Sequence, residues 1–165
     1  MSRLLVVHHS PTRAVRSLTE AVLAGTHDEA IEGVEVVVRQ ALEATAEDVL
    51  EADGYLLGTP ANFGYMSGAL KHFFDSTFLQ VGGSLSSTGA ADESSGTTAG
   101  RPFGLYVHGR YDTAGAVRSV TSIVGALKWR QSADVLEVLG DVDDSHLADA
   151  YELGGTLAAL LSGDG

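Results

Sequence analysis

The stretch Tyr55-Leu-Leu-Gly-Thr-Pro-Ala-Asn-Phe-Gly-Tyr-Met-Ser-Gly-Ala-Leu-Lys-His-Phe-Phe-Asp75 decides the fold. It opens on Tyr55-Leu56-Leu57, a short apolar run without charge, which predicts a buried strand. Met66, Leu70, Phe73 and Phe74 follow at helical spacing and predict a helix over 66–78. Between them lies Gly58-Thr59-Pro60-Ala61-Asn62-Phe63-Gly64, a loop with turn chemistry and one aromatic. Strand, loop and helix make half of a parallel α/β unit. In such sheets the loops at the carboxyl ends of strands form the ligand site.

The rest of the chain repeats that unit. An apolar run at 3–8 predicts the first strand, and Val15, Leu18, Val22 and Gly25 place a helix over 14–24. Residues 34–38 form a second strand. Thr45 with Asp48 has capping-box spacing, which opens a short helix through Leu50. Strands three, four and five fall at 54–57, 103–107 and 134–139. Val117, Val120, Ile123, Val124 and Leu127 mark one late helix. Leu147, Tyr151, Gly154, Leu157 and Leu161 mark the last, with Asp144 or Ser145 as its cap. Five alternating units predict a single α/β domain over 1–165, a three-layer sandwich with helices on both faces of a five-stranded parallel sheet. The expected strand order is 2-1-3-4-5, which sets the loops after Val7 and Leu57 side by side at the switch point. Residues 80–102 are rich in Gly, Ser, Thr and Ala and predict a long mobile surface loop, with a lid near the site or a subunit contact as the functional alternative.

Composition narrows the function. The chain has 165 residues and 44% hydrophobic content, enough for one core. It lacks cysteine, which excludes disulfides, thiol nucleophiles and iron–sulfur clusters. Redox chemistry would therefore need an organic cofactor. Twenty-two acids against ten bases give a net charge of -12, a poor match for nucleic acid. That acidity serves solubility, or steering toward a basic partner. No apolar run reaches the roughly 20 residues of a membrane span, and residues 1–4 lack signal-peptide character, so a cytoplasmic protein is expected.

Three loops carry candidate chemistry. The first, His8-His9-Ser10-Pro11-Thr12-Arg13-Ala14-Val15-Arg16, leads into a helix N-terminus that favours an anion. No acid occurs before Glu20, which suits a phosphate. The P-loop and dinucleotide glycine patterns are both missing. The second loop holds Phe63, a core aromatic or, from its place just past a strand end, a ligand contact, beside Gly64. The third is His108-Gly109-Arg110-Tyr111-Asp112-Thr113-Ala114-Gly115, where Asp112 or Thr113 caps the next helix. His8, His9 and His108 sit at strand ends without metal-site spacing, so no metal is expected. Ser67 lies outside any GxSxG elbow. The strand ends also lack the acids that a phosphorelay receiver needs.

Gly58-Thr59-Pro60-Ala61-Asn62-Phe63-Gly64-Tyr65-Met66-Ser67-Gly68-Ala69-Leu70-Lys71 resembles the flavin loop of the flavodoxin-like FMN proteins, the group of flavodoxins, NADPH-dependent FMN reductases and NAD(P)H:quinone oxidoreductases. The resemblance implies the flavodoxin-like fold and bound FMN. Ser10-Pro11-Thr12 matches the start of that family's phosphate loop, and Arg13, Ala14 and Val15 stand where its glycine, asparagine and second threonine are found. It further implies that Thr59, Pro60, Ala61, Asn62, Phe63 and Gly64 lie along the isoalloxazine ring. His108, Gly109, Arg110, Tyr111 and Asp112 would cover its other side or edge. The implied activity passes electrons from NAD(P)H through FMN to a quinone or other small acceptor, with no protein acid or base assigned. The alternatives are a flavodoxin-type carrier that docks to a redox partner protein, and a flavodoxin-fold module that has lost its cofactor. Quinone reductases of this group form homo-oligomers, which the resemblance extends to this chain.

Overall fold

The computed structural model describes residues 1–83, 87–88 and 96–163. Its elements run β1 (Ser2–His8), α1 (Arg13–Thr26), β2 (Val34–Gln40), α2 (Ala46–Glu51), β3 (Gly54–Asn62), β4 (Tyr65–Met66), α3 (Gly68–Thr77), β5 (Pro102–Gly109), α4 (Ala114–Ala126), β6 (Arg130–Gln131), β7 (Leu136–Leu139) and α5 (Asp144–Ser162). The parallel order β2-β1-β3-β5 continues into β6 and β7, which pair with the two ends of β5. Together they fill the place of the expected fifth strand, so the 2-1-3-4-5 order holds. The fifth strand itself is broken. Residues 134 and 135, expected in it, precede the four-residue β7.

Alternation along the strands divides the core into two layers. Leu4, Val6, Leu56 and Tyr106 face α1 and α5, where Val15, Leu18, Val22, Leu153, Leu157 and Leu161 meet them. Leu5, Val7, Leu57, Leu105 and Val107 face the other way, toward Val49, Leu70, Phe73, Phe74, Val120 and Val124. The apolar runs of the sequence are uninterrupted because both faces of these strands are covered.

Local signals set the helix ends. Thr45 and Asp48 form the expected capping box on α2. Asp143 starts α5, accepting from the backbone of Ser145 and His146, while His146 Nδ1 accepts from Asp143 N. That places the cap one residue before the expected Asp144. The third helix starts later than expected. Met66 belongs to β4, and Ser67 caps α3 by accepting from Leu70 N at 3.1 Å.

The 80–102 segment falls partly outside the described residues, at 84–86 and 89–95. Its two ends are tied to the core. Val81 is buried, Thr98 is fully buried, and Trp129 Nε1 donates to Thr98 Oγ1 at 2.8 Å. Trp129 in turn stacks on Tyr55 at 3.8 Å between centroids. Among the described residues no helix is long and apolar enough to cross a membrane.

Candidate functional site

The carboxyl ends of β1, β3 and β5 lie side by side, with His8 opposite Gly58 and Pro60 opposite His108. His9 N donates to Gly58 O at 3.0 Å, which joins the first loop to the second. The second and third loops touch more closely. A Cβ on Gly115 would lie 2.2 Å from Gly64 O, and one on Gly109 would lie 3.1 Å from Ala61 Cβ. One continuous edge therefore carries all three candidate loops.

The second loop is a β-hairpin, which the sequence reading missed. Ala61 pairs with Met66 and Asn62 with Tyr65, leaving Phe63 and Gly64 as a two-residue turn. Both have positive φ, 51° and 78°. A right-handed strand twist favours such primed turns, and Asn or Gly normally occupies them. Phe63 fills the first position at a conformational cost of about 1 kcal/mol. Its side chain is 109% exposed, so it gains nothing from the core. Thr59 anchors the hairpin from below. Its fully buried hydroxyl accepts from Ser67 N at 3.0 Å and donates to Pro60 O at 2.8 Å. Thr59 and Pro60 thus face inward, whereas Asn62 and Phe63 face solvent.

In the first loop Thr12 caps α1 by accepting from Val15 N at 3.3 Å. Val15 is fully buried, and its N–H is occupied, so it adds no free donor. Arg13 and Arg16 are exposed and form no ion pair among the described residues. The Ser10 hydroxyl is engaged inward, 2.8 Å from both His8 Nδ1 and Thr19 Oγ1. His9, outside the expected donor set, has a buried Nδ1 without a hydrogen-bond partner among the described residues.

In the third loop Tyr111 is 91% exposed. Arg110 reaches Asp141 at 3.0 Å, an exposed pair of small energetic value. Asp112 accepts from Ala114 N at 2.9 Å. Thr113 occupies the cap position of α4 but donates instead to Glu137 at 2.9 Å. His108 Nε2 lies 2.7 Å from Gly140 O, which ties the loop to the end of β7.

The sheet order, with helices on both faces, is that of the flavodoxin-like fold. The chain matches the family model for NADPH-dependent FMN reductase over residues 6–136 and belongs to that family. FMN is the family's cofactor. A flavodoxin of Aquifex aeolicus (strain VF5) is 37% identical over 85 residues, 52% of this chain and 45% of that protein. An NAD(P)H dehydrogenase (quinone) of Acidithiobacillus ferrooxidans (strain ATCC 53993 / BNL-5-31) is 32% identical over 97 residues, 47% of this chain and 48% of that protein. The chain spans about half the length of the curated relatives it matches. The structure is similar to a flavodoxin from the domain Archaea, with TM-score 0.75, 16% identity and coverage of 96% and 98%. It is also similar to a flavodoxin, WrbA-like protein from Agrobacterium tumefaciens, with TM-score 0.72, 16% identity and coverage of 98% for both chains. At these identities the structural likeness concerns the fold alone.

The residues of the edge fit FMN. Its phosphate needs donors and positive charge without nearby carboxylates. The first N–H groups of α1, Arg13 and Arg16 supply that, in a segment free of acid up to Thr19. The unpartnered His9 Nδ1 is a further polar group in the same loop. A planar ring needs apolar faces, and Phe63 and Tyr111 present them on adjoining loops.

Proposed function

We propose that the chain is an FMN-dependent oxidoreductase that passes electrons from NAD(P)H to a quinone or another small acceptor. Phe63 carries this reading. A bulky residue held at positive φ with its ring fully in solvent costs conformational energy and buries nothing, so its return comes from a ligand. Bound FMN would supply the two-electron chemistry. The chain's own work is to hold and orient it. The first loop, through the N–H groups of Ser10, Thr12, Arg13 and Ala14 and the charge of Arg13, would hold the phosphate. Ala61, Asn62, Phe63 and Gly64 would lie along one side of the ring, with Thr59 and Pro60 fixing the hairpin beneath. His108, Gly109, Arg110, Tyr111 and Asp112 would border the other side, where the Arg110 cation stabilises added negative charge.

The net charge of -12 favours a second reading, a carrier that docks to a basic redox partner. Anaerobic mixing of FMN-loaded protein with NADH or NADPH separates the two. The reductase reading expects bleaching of the flavin absorbance by the nicotinamide alone and its return on adding a quinone. A flavin that nicotinamide leaves oxidised, but that a reductase protein bleaches, would establish the carrier.

A further inference from the structure

A chain of side-chain contacts runs from the first loop into the core. His8 Nδ1 lies 2.8 Å from Ser10 Oγ, Ser10 Oγ lies 2.8 Å from Thr19 Oγ1, and Thr19 Oγ1 lies 2.7 Å from Tyr106 OH. Three hydroxyl protons must be placed along it. Tyr106 is fully buried, and Thr19 is its hydroxyl's partner among the described residues. Thr19 differs from Thr77, Thr121 and Ser122, which donate to a carbonyl four residues back. It makes no such bond, so its proton goes to Ser10 or to Tyr106. If it goes to Tyr106, the phenolic proton is stranded in the core, and burial without a partner biases strongly against that state. The satisfied arrangement has Tyr106 donating to Thr19 and Thr19 donating to Ser10.

Ser10 then has one proton and two places to send it. It donates to His8 Nδ1, or it turns outward and accepts from His8 instead. We propose that Ser10 is a proton switch between His8 and the phosphate of the ligand, so that anion binding at the first loop places a proton on His8 Nδ1, with His8, Thr19 and Tyr106 as positioning residues. Before the anion arrives His8 is the neutral tautomer with its proton on Nε2. With the anion bound the Ser10 proton points outward, and His8 Nδ1–H donates to Ser10 Oγ. By linkage the same anion favours protonated His8, and protonated His8 favours the anion.

The surroundings of His8 support a group that starts neutral. Burial, and then the like charge of His9, hold its pKa below the ordinary imidazole value. Its strand neighbours are Gln40 on β2 and Gly58 on β3, neither of them charged. In the loop it meets Ser10, with Thr19 of α1 behind that hydroxyl. Arg13 and Arg16 belong to the start of that helix, before Thr19, and Tyr106 stands behind Thr19 on β5. None of the ion pairs among the described residues involves His8.

This inference rests on the first loop binding the phosphate of FMN, and its test separates the two ideas. The side-chain nitrogen resonances of His8 are followed by NMR in the full chain, first alone, then with FMN, then with inorganic phosphate. The expected result is a bare Nδ1 in the protein alone, and an Nδ1 proton at saturation with either anion. Ser10→Ala should remove that change of tautomer and weaken FMN about tenfold. A purely electrostatic effect of the anion would survive in Ser10→Ala and leave the neutral tautomer unaltered. Ser10→Thr, which keeps the hydroxyl, should restore the response. An Nδ1 proton in the protein alone, or a tautomer unchanged at saturation, would overturn the proposal. So would failure of both anions to bind. Phosphate binding without FMN binding would leave the switch standing and sink the FMN reading.

Discussion

Gly154→Ala is expected to destabilise the protein by about 3 kcal/mol, a loss of roughly 10 °C in melting temperature. Alanine is the better helix former by about 1 kcal/mol, so local propensity alone predicts the opposite sign. Packing decides against it. A Cβ at position 154 would lie 2.0 Å from the carbonyl oxygen of Val22, and one at Gly25 would lie 1.9 Å from that of Tyr151. Both obstacles are backbone, which cannot turn away as a side chain can. α1 and α5 would have to separate, opening voids among Val22, Leu153 and Leu157. Gly125→Ala in α4 is the control, because among the described residues nothing lies within 4 Å of its added methyl. That substitution should raise stability by up to about 1 kcal/mol. Thermal unfolding of the two variants gives opposite shifts if this account of the α1–α5 contact holds, and equal shifts if it does not.

Gly115→Ala should strike the site rather than the core. Its methyl would lie 2.2 Å from Gly64 O, at the tip of the hairpin. Gly64 is half-exposed and the turn ends in solvent, so the hairpin has room to move away. Folding stability is then expected to fall by about 1 kcal/mol or less. FMN affinity is expected to fall at least tenfold, about 1.4 kcal/mol, because Phe63 shifts off the position that the turn gives it. Unfolding curves and FMN fluorescence titrations on the same preparation measure the two effects separately. Affinity lost only in proportion to folding would count against a ligand role for the hairpin.

The large features were legible in the sequence because they follow from apolar period. Leu4 to Val7 and Tyr55 to Leu57 are uninterrupted apolar runs, and Phe103 to Val107 is interrupted only by Gly104, as strands buried on both faces require. Thr45 with Asp48 was legible because both halves of a capping box lie within four residues. The hairpin was hidden for a specific reason. Met66 stands four residues before Leu70, in phase with α3, so period extended the helix backward across Ser67. Its turn lacks an Asn-Gly pair, and Phe63 is an unfavourable occupant of positive φ.

The breaks elsewhere have similar causes. β6 is two exposed residues, too few to carry a pattern, and the apolar residues at 135 and 136 drew the expected fifth strand back to 134, whereas β7 starts at Leu136. The polar 80–102 segment concealed two buried anchors, Val81 and Thr98, because Thr98 is held by Trp129 thirty-one positions on and itself donates to Val81 O. The chain from His8 to Tyr106 spans three elements, and a hydroxyl partner 87 positions away leaves no local trace. Of the three loops, the sequence located each at a strand end. It did not distinguish inward-facing Thr59, Pro60 and Val15 from outward-facing Asn62, Phe63 and Tyr111, since that depends on the fold.

The central claim is that the edge formed by β1, β3 and β5 binds FMN. Titration of the purified protein with FMN, followed by quenching of flavin fluorescence, tests it most directly. The account predicts sub-micromolar binding, weakened about tenfold by Phe63→Ala through loss of ring contact and by Arg13→Ala through loss of charge at the phosphate. Absence of binding up to about 100 μM, only some 5–6 kcal/mol, would contradict it. Arg13, Ala14 and Val15 would then have disabled the phosphate loop, and the chain would be a flavodoxin-fold module without its cofactor.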